Sequence, residues 1–238
     1  MLIQKTIKTR TIFCCDNLDV MRGMDDQSVD LIYLDPPFNK GRQFHAPIGR
    51  GVEGASFRDI WDERDTKDEW HGQIAEQHPK LYLYLSGAEA VGSKSSKYYL
   101  IYMAVRLLEM HRILKPEGSL YLHCDPTASH YLKLLLDAIF GHQNFRNEII
   151  WKRTSSHSDA KTMGAVHDVI LLYTKSRKFF WNKQYLPYSP DYISKRFKHA
   201  DADGRKWMVT SLPKVCPAAA MTTPTRGCVP FGGCRKRK

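Results

Sequence analysis

Residues 31–38 read Leu31-Ile32-Tyr33-Leu34-Asp35-Pro36-Pro37-Phe38, and the order of these residue types decides the fold class. Leu31 to Leu34 is a short apolar run of branched and aromatic side chains, the composition of a strand buried on both faces. Two prolines stop it. Each fixes its own φ, removes a backbone donor and pushes the preceding residue out of the helical region. The result is a stiff strand end that presents one carboxylate (Asp35), a carbonyl with no competing N–H (Pro36) and an aromatic ring (Phe38). In open α/β sheets ligands gather at the carboxyl ends of strands, so a site belongs here.

Those three groups suit one kind of chemistry. The exocyclic amino group of adenine or cytosine delocalises its lone pair into the ring and is a poor nucleophile. Two acceptors, the Asp35 carboxylate and the Pro36 carbonyl, would hold its two N–H bonds out of plane and localise that pair. Phe38 would stack on the base, a contact worth about 1–3 kcal/mol. The plain alternative is an Asp-Pro turn that ends a strand and does nothing more.

Working outward, 238 residues with 42% hydrophobic and 11% aromatic content suffice for one α/β domain with an appended lobe. No apolar run has the length of a membrane span, and Met1 to Arg10 lacks the apolar core of a signal peptide. A cytoplasmic protein with no membrane partner is expected. The six cysteines form no C-x-x-C pair, and Cys14 and Cys15 read as small buried hydrophobes on a first strand. Lys and Arg total 36 against 25 Asp and Glu, a formal charge of +11, which points to a polyanionic partner. Lys152 to Lys206 interleaves cations with Tyr, Phe and Trp, a pattern that favours nucleic acid.

Thr11 to Cys15 reads as that first strand, and Asp16 caps a helix over Leu18 to Met24. Asp16 is then either only a cap or also a ligand group at a strand end. Gly49-Arg50-Gly51-Val52-Glu53-Gly54 matches G-x-G-x-x-G, but no strand leads into it, so a flap is expected rather than a dinucleotide loop. Lys80 to Val91 reads as helical or irregular. Tyr98 to Leu114 has helical periodicity closed by Lys115-Pro116-Glu117-Gly118, and Ser119 to Cys124 reads as a buried strand. Asp125-Pro126-Thr127 opens a helix reaching Phe140. His123, Cys124, Asp125 and His130 lack tetrahedral ligand spacing, so no metal is expected. Asn144 to Trp151 and Asp168 to Tyr173 read as a hairpin at the sheet edge, and Tyr188 to Lys198 as a short basic helix.

Taken together, these residues resemble the amino-directed DNA methyltransferases (adenine-N6 or cytosine-N4), in the permuted group whose catalytic strand comes first. The likeness rests on Ile32 to Phe38, on Gly118-Ser119-Leu120-Tyr121-Leu122-His123-Cys124-Asp125, on Ile139-Phe140-Gly141 with Asn144-Phe145, and on His167 to Lys175. It implies an α/β, Rossmann-like sheet that uses S-adenosylmethionine, mostly parallel, with helices on both faces and incomplete at the carboxyl end. It further implies that Asp35, Pro36, Pro37 and Phe38 hold a flipped base. Asp35 would lie near the methionine end of S-adenosylmethionine, and Asp16 would reach its adenosine part. Asp rather than Ser at position 35 leans towards adenine.

DNA is the implied partner, contacted by Lys40, Lys152, Arg153 and Lys161, with a restriction subunit or a second copy of the chain as further candidates. The implied organisation is a catalytic part at 1–150 with an inserted flap at 41–95. An edge strand and basic target-recognition region follow at 151–210, then an irregular tail at 211–238. The family's glycine loop, Phe-x-Gly-x-Gly, has only a faint echo in Phe231-Gly232-Gly233-Cys234. A truncated or frame-shifted carboxyl part is therefore expected, and the competing reading is a DNA-binding fragment that transfers nothing.

Overall fold

The computed structural model describes residues 10–45, 56–154, 164, 166–185, 187–210 and 234–237. The chain forms two compact units, Met1–Trp181 and Asn182–Lys238. The first opens with α1 (Asn17–Arg22) and β1 (Val29–Leu34), followed by the strands β2 (Arg42–His45) and β3 (Ser56–Asp59). Three helices follow, α2 (Asp68–Gln77), α3 (Pro79–Val91) and α4 (Lys94–Ile113). Then come β4 (Leu114–Cys124), α5 (Pro126–Phe140), β5 (Phe145–Lys152) and β6 (His167–Thr174).

Local chemistry explains the helices. Asp16 caps α1 by accepting from the Leu18 amide at 2.9 Å, and Ser93 caps α4 through the Ser96 amide. At α5, Asp125 accepts from the amides of Thr127 and Ala128, and Pro126 takes the first turn, where a missing N–H costs nothing. The long helix α4 buries Tyr99, Leu100, Ile101, Met103, Ala104 and Leu107. From α2 and α3, Trp70, Ile74, Leu81, Leu85 and Ala88 join the same core. Lys80 to Val91 is thus helical, and part of the 41–95 stretch is packed core.

The main sheet runs β1-β4-β6-β5. Among its described pairings only β1–β4 is parallel; β4–β6 and β5–β6 are antiparallel. The expectation of a mostly parallel sheet is therefore corrected to a mixed one. A parallel neighbour needs a crossover, as α5 could supply, but β5 and β6 pair with each other as a hairpin and so bring β6 back against the direction of β4. Leu120, Leu122 and Cys124 of β4 face the core with Leu171 and Tyr173 of β6.

Two further expectations fail. Thr11 to Cys15 is not a strand: it joins none of the described sheets, Ile12 is 96% exposed, and Cys14 and Cys15 are exposed. And β1 is not buried on both faces. Ile32 and Leu34 pack on the core, but Leu31 and Tyr33, on the opposite face, are each 56% exposed. The end of α4 also differs: Lys115 to Gly118 lies inside β4 rather than terminating the helix. A Cβ on Gly118 would sit 3.0 Å from the Asp30 carbonyl, so this glycine permits the close approach of β4 to β1.

The second unit has its own helix, α6 (Pro190–Arg196), and three strands: β7 (His199–Ala200), β8 (Lys206–Thr210) and β9 (Cys234–Arg237). They pair antiparallel in the order β7-β8-β9. Tyr188 and Tyr192 stack at 5.0 Å, and Phe197 is buried beside them. The glycine-rich segments at 49–54 and 231–233 lie outside the described residues. Among the described residues no helix is long and apolar enough to cross a membrane.

Candidate active site

At the corner that ends β1, the Asp35 side chain is 59% exposed, Pro36 is buried, and Phe38 is half-buried against the core. What holds the corner is a residue that no motif marks. Asp59, 1% exposed at the end of β3, accepts from the amides of Asn39 at 2.9 Å and Lys40 at 2.8 Å and from the Trp61 indole at 3.1 Å. Its own carbonyl accepts from the Gly41 amide. Asn39 has φ of 59°, a left-handed conformation that asparagine tolerates better than most residues. Ser95 donates to the Asn39 side chain at 3.2 Å. The segment after Pro37 is thus clamped from two sides.

Across from Asp35 stands His123, on the half-exposed face of β4. Its Nδ1 lies 3.3 Å from Asp35 Oδ1, and its Nε2 lies 3.1 Å from Asp168 Oδ2. Asp168 is buried, and its other oxygen accepts from Arg153 at 3.2 Å. Tyr33 hydroxyl and His123 Nδ1 are 3.5 Å apart, and the Phe38 ring meets the imidazole edge-on at 5.5 Å. An alternating row, Asp35–His123–Asp168–Arg153, therefore runs away from the corner. Neither His123 nor Asp168 is among the expected site residues. The signal available was the fixed position of His123 one residue before the strand's end, two places before the Asp125 cap.

The remaining expected residues fall differently. Asp16, besides capping α1, accepts through both carboxylate oxygens from the single Arg106 Nη2, at 2.8 and 2.7 Å. The Arg106 side chain is 3% exposed and lies on the Tyr102 ring at 3.4 Å. Asp16 and Asp35 thus have separate partners, Arg106 and His123. Lys40 is folded inward, 3.5 Å from Asp125 and 5.4 Å from the centre of the Phe38 ring. Lys152 is exposed at the end of β5, Arg153 is engaged by Asp168, and Lys161 lies outside the described residues.

Behind Phe38 and Asn39 lies a small cavity of about 170 Å³, lined also by Ser96, Tyr99, Thr127 and Tyr131. Burial drives the Tyr99 phenol well above its ordinary range, and its hydroxyl has no partner among the described residues. Burial likewise pushes the Cys124 thiol up to about 12, with Asp125 adding to the effect. A neutral thiol of that kind is no nucleophile.

The profile of the N6/N4 family, described as DNA methylase, matches residues 29–219. The Mod subunit of the type III restriction-modification enzyme StyLTI, from Salmonella typhimurium, is 29% identical over 189 residues, 77% of this chain and 26% of that one. The type II methyltransferase M.EcaI from Enterobacter cloacae is 34% identical over 108 residues, 45% of this chain and 24% of its own length. Among solved structures, the cytosine-N4-specific PvuII DNA methyltransferase overlaps with a TM-score of 0.42 and 11% identity, over 70% of this chain and 49% of that one. The chain spans about a quarter of the length of these two curated relatives.

Proposed function

The chain belongs to the N6/N4 DNA methylase family, and from that membership we propose that it carries the target-base side of a site-specific DNA methyltransferase. The reaction is transfer of a methyl group from S-adenosylmethionine to the exocyclic amino group of adenine, with cytosine second, in a base turned out of the duplex. The carrying observation is the exposed Asp35 carboxylate at a clamped strand end, beside Pro36 and Phe38. Asp35 and the Pro36 carbonyl accept the two amino N–H bonds and return the lone pair to nitrogen. Phe38, fixed by the core and by His123, limits where the base sits. Because Asp59 holds the segment after Pro37 before any substrate arrives, little ordering remains for the moment of binding.

S-adenosylmethionine supplies a methyl group on a positively charged sulfur. The residues present fit its reactive end: Asp35 is an exposed carboxylate, suited to a cation, at the carboxyl end of β1. At the other end the fit is narrower. Asp16 would reach the adenosine part with its carboxylate already bound by Arg106, which leaves only spare lone pairs for a ligand hydroxyl. DNA is the partner, reached through Lys152 and through the basic, aromatic second unit. The permuted order, in which the Asp-Pro-Pro-Phe strand comes before the place where the family carries its glycine loop, belongs to the same reading.

The test is mass spectrometry of nucleosides from cells expressing the chain, beside cells expressing Asp35→Ala. The reading expects N6-methyladenine with the parent chain and none with the variant, while both bind DNA alike. Equal methylation by the two chains would refute the assignment of Asp35. DNA binding without any new methylated base would identify a binding fragment instead.

A further inference from the structure

The row of residues behind Asp35 carries more than a packing role. Asp168 is buried and accepts from Arg153 through one oxygen, so its other oxygen needs a donor, and His123 Nε2 at 3.1 Å is the one in place. In the neutral imidazole this contact favours the proton on Nε2 and leaves Nδ1 as a lone pair. The lone pair faces Asp35 Oδ1 at 3.3 Å and the Tyr33 hydroxyl at 3.5 Å. Nδ1 and the Asp35 carboxylate oxygen thus stand close enough for a proton to pass between them. A histidine that only filled space would have no reason to aim its second nitrogen at a solvent-exposed carboxylate.

Resting on the methyl-transfer reading, we propose that His123 is a positioning residue, held by Asp168 in the Nε2–H form, whose Nδ1 takes over the proton that Asp35 receives from the target amino group. The accounting is simple. The amino nitrogen's pair forms the new N–C bond, the donor's C–S bond breaks with its pair kept by sulfur, and one N–H proton must then leave the nitrogen. Asp35 accepts that proton, and the 3.3 Å contact passes it to Nδ1. The resulting imidazolium stands between two carboxylates, with Arg153 balancing the buried one. Solvent at the exposed Asp35 finally carries the proton away. Every group that faces the ring takes part: Tyr33 and Asp35 from the β1 side, Phe38 across its edge, and Asp168 from β6.

Two measurements decide it. In the full chain labelled with ¹⁵N-histidine and free of ligand, long-range proton–nitrogen spectra should show His123 as the Nε2–H tautomer, and Asp168→Asn should reduce that preference. A His123 carrying its proton on Nδ1 in the parent chain would overturn the proposal, whatever the chain's activity. In methyl transfer to DNA, His123→Gln keeps an amide donor for Asp168 but has nothing at the Nδ1 position. It should lower kcat by about 10²-fold with KM for DNA and the melting temperature near those of the parent, a loss in the range of general acid–base groups. Added imidazole should restore part of the rate in His123→Ala. An unchanged kcat, or a parallel fall of kcat, DNA affinity and melting temperature, would overturn the relay. A parent chain that transfers no methyl would instead count against the methyl-transfer reading, and the tautomer result would stand apart from it.

Discussion

Asp59 offers the sharpest test of how the corner is held. Its carboxylate satisfies two backbone amides and one indole N–H, at 2.9, 2.8 and 3.1 Å, from a position 1% exposed. Asp59→Asn keeps the shape and one oxygen, which can still serve the Asn39 amide and Trp61. The new NH2 group, however, faces the Lys40 amide, donor against donor. One charge-assisted bond is lost and one buried donor is stranded, together about 2–3 kcal/mol. For a chain of this size each kcal/mol moves the melting temperature by about 2–4 °C, so a fall of roughly 4–12 °C is expected. Asp59→Ala strands all three donors and should cost about 3–5 kcal/mol. The assay is thermal unfolding followed by circular dichroism, with DNA binding measured on the same samples. If Asp59→Asn melts within about 1 °C of the parent chain, the clamp is not what fixes the segment after Pro37.

Three other predictions follow from local chemistry. His111, half-buried against Phe140 and near Lys175 and His78, is held below its ordinary pKa, first by burial and then by Lys175. The folded state binds its proton less readily than the unfolded chain, so its contribution to stability is complete above about pH 6.5 and is lost as the unfolded chain takes up the proton below that. Unfolding midpoints of His111→Gln should therefore fall less steeply than the parent's between about pH 6.5 and 5.5, and parallel slopes would contradict the shift. At pH 8, alkylation mapped by peptide mass spectrometry should mark the exposed Cys14 and Cys15 and spare Cys124, whose thiol burial pushes up to about 12; equal labelling would refute the buried placement. Gly118→Ala brings a methyl 2.8 Å from the Leu114 side chain and 3.0 Å from the Asp30 carbonyl, and should lower the urea midpoint by the equivalent of about 1–3 kcal/mol. An unshifted midpoint would mean that β1 and β4 have room to part.

What could be read from the sequence was what neighbouring residues settle among themselves. The caps at Asp16 and Asp125, the period of α4 and α5, and the paired runs at β5 and β6 all lie within one turn or one hairpin of their cause. Strand direction was not of that kind. Whether β6 runs with or against β4 depends on pairings such as His123 with Ile170, across 47 positions of chain. The site divides along the same line. The Asp35 corner is written in four consecutive residues, whereas Asp59, His123 and Asp168 acquire meaning only when separate elements bring them together. Asp16 shows the converse: its cap was legible, but its engagement by Arg106, 90 residues on, was not. Thr11 to Cys15 has a strand's composition, yet composition alone does not place a segment in a sheet.

The uncovered flank of β1 bears on how a purified sample behaves. Leu31 and Tyr33 stand out from a strand whose far side has no neighbour among the described residues, so two molecules can lay these flanks together as one continuous ribbon. A formal charge of +11 keeps like molecules apart in dilute buffer. Salt shortens the reach of that repulsion to about 8 Å near 0.15 M and leaves the oily contact intact. Cloudiness should accordingly grow as sodium chloride is raised, the reverse of a protein that clumps through opposite charges.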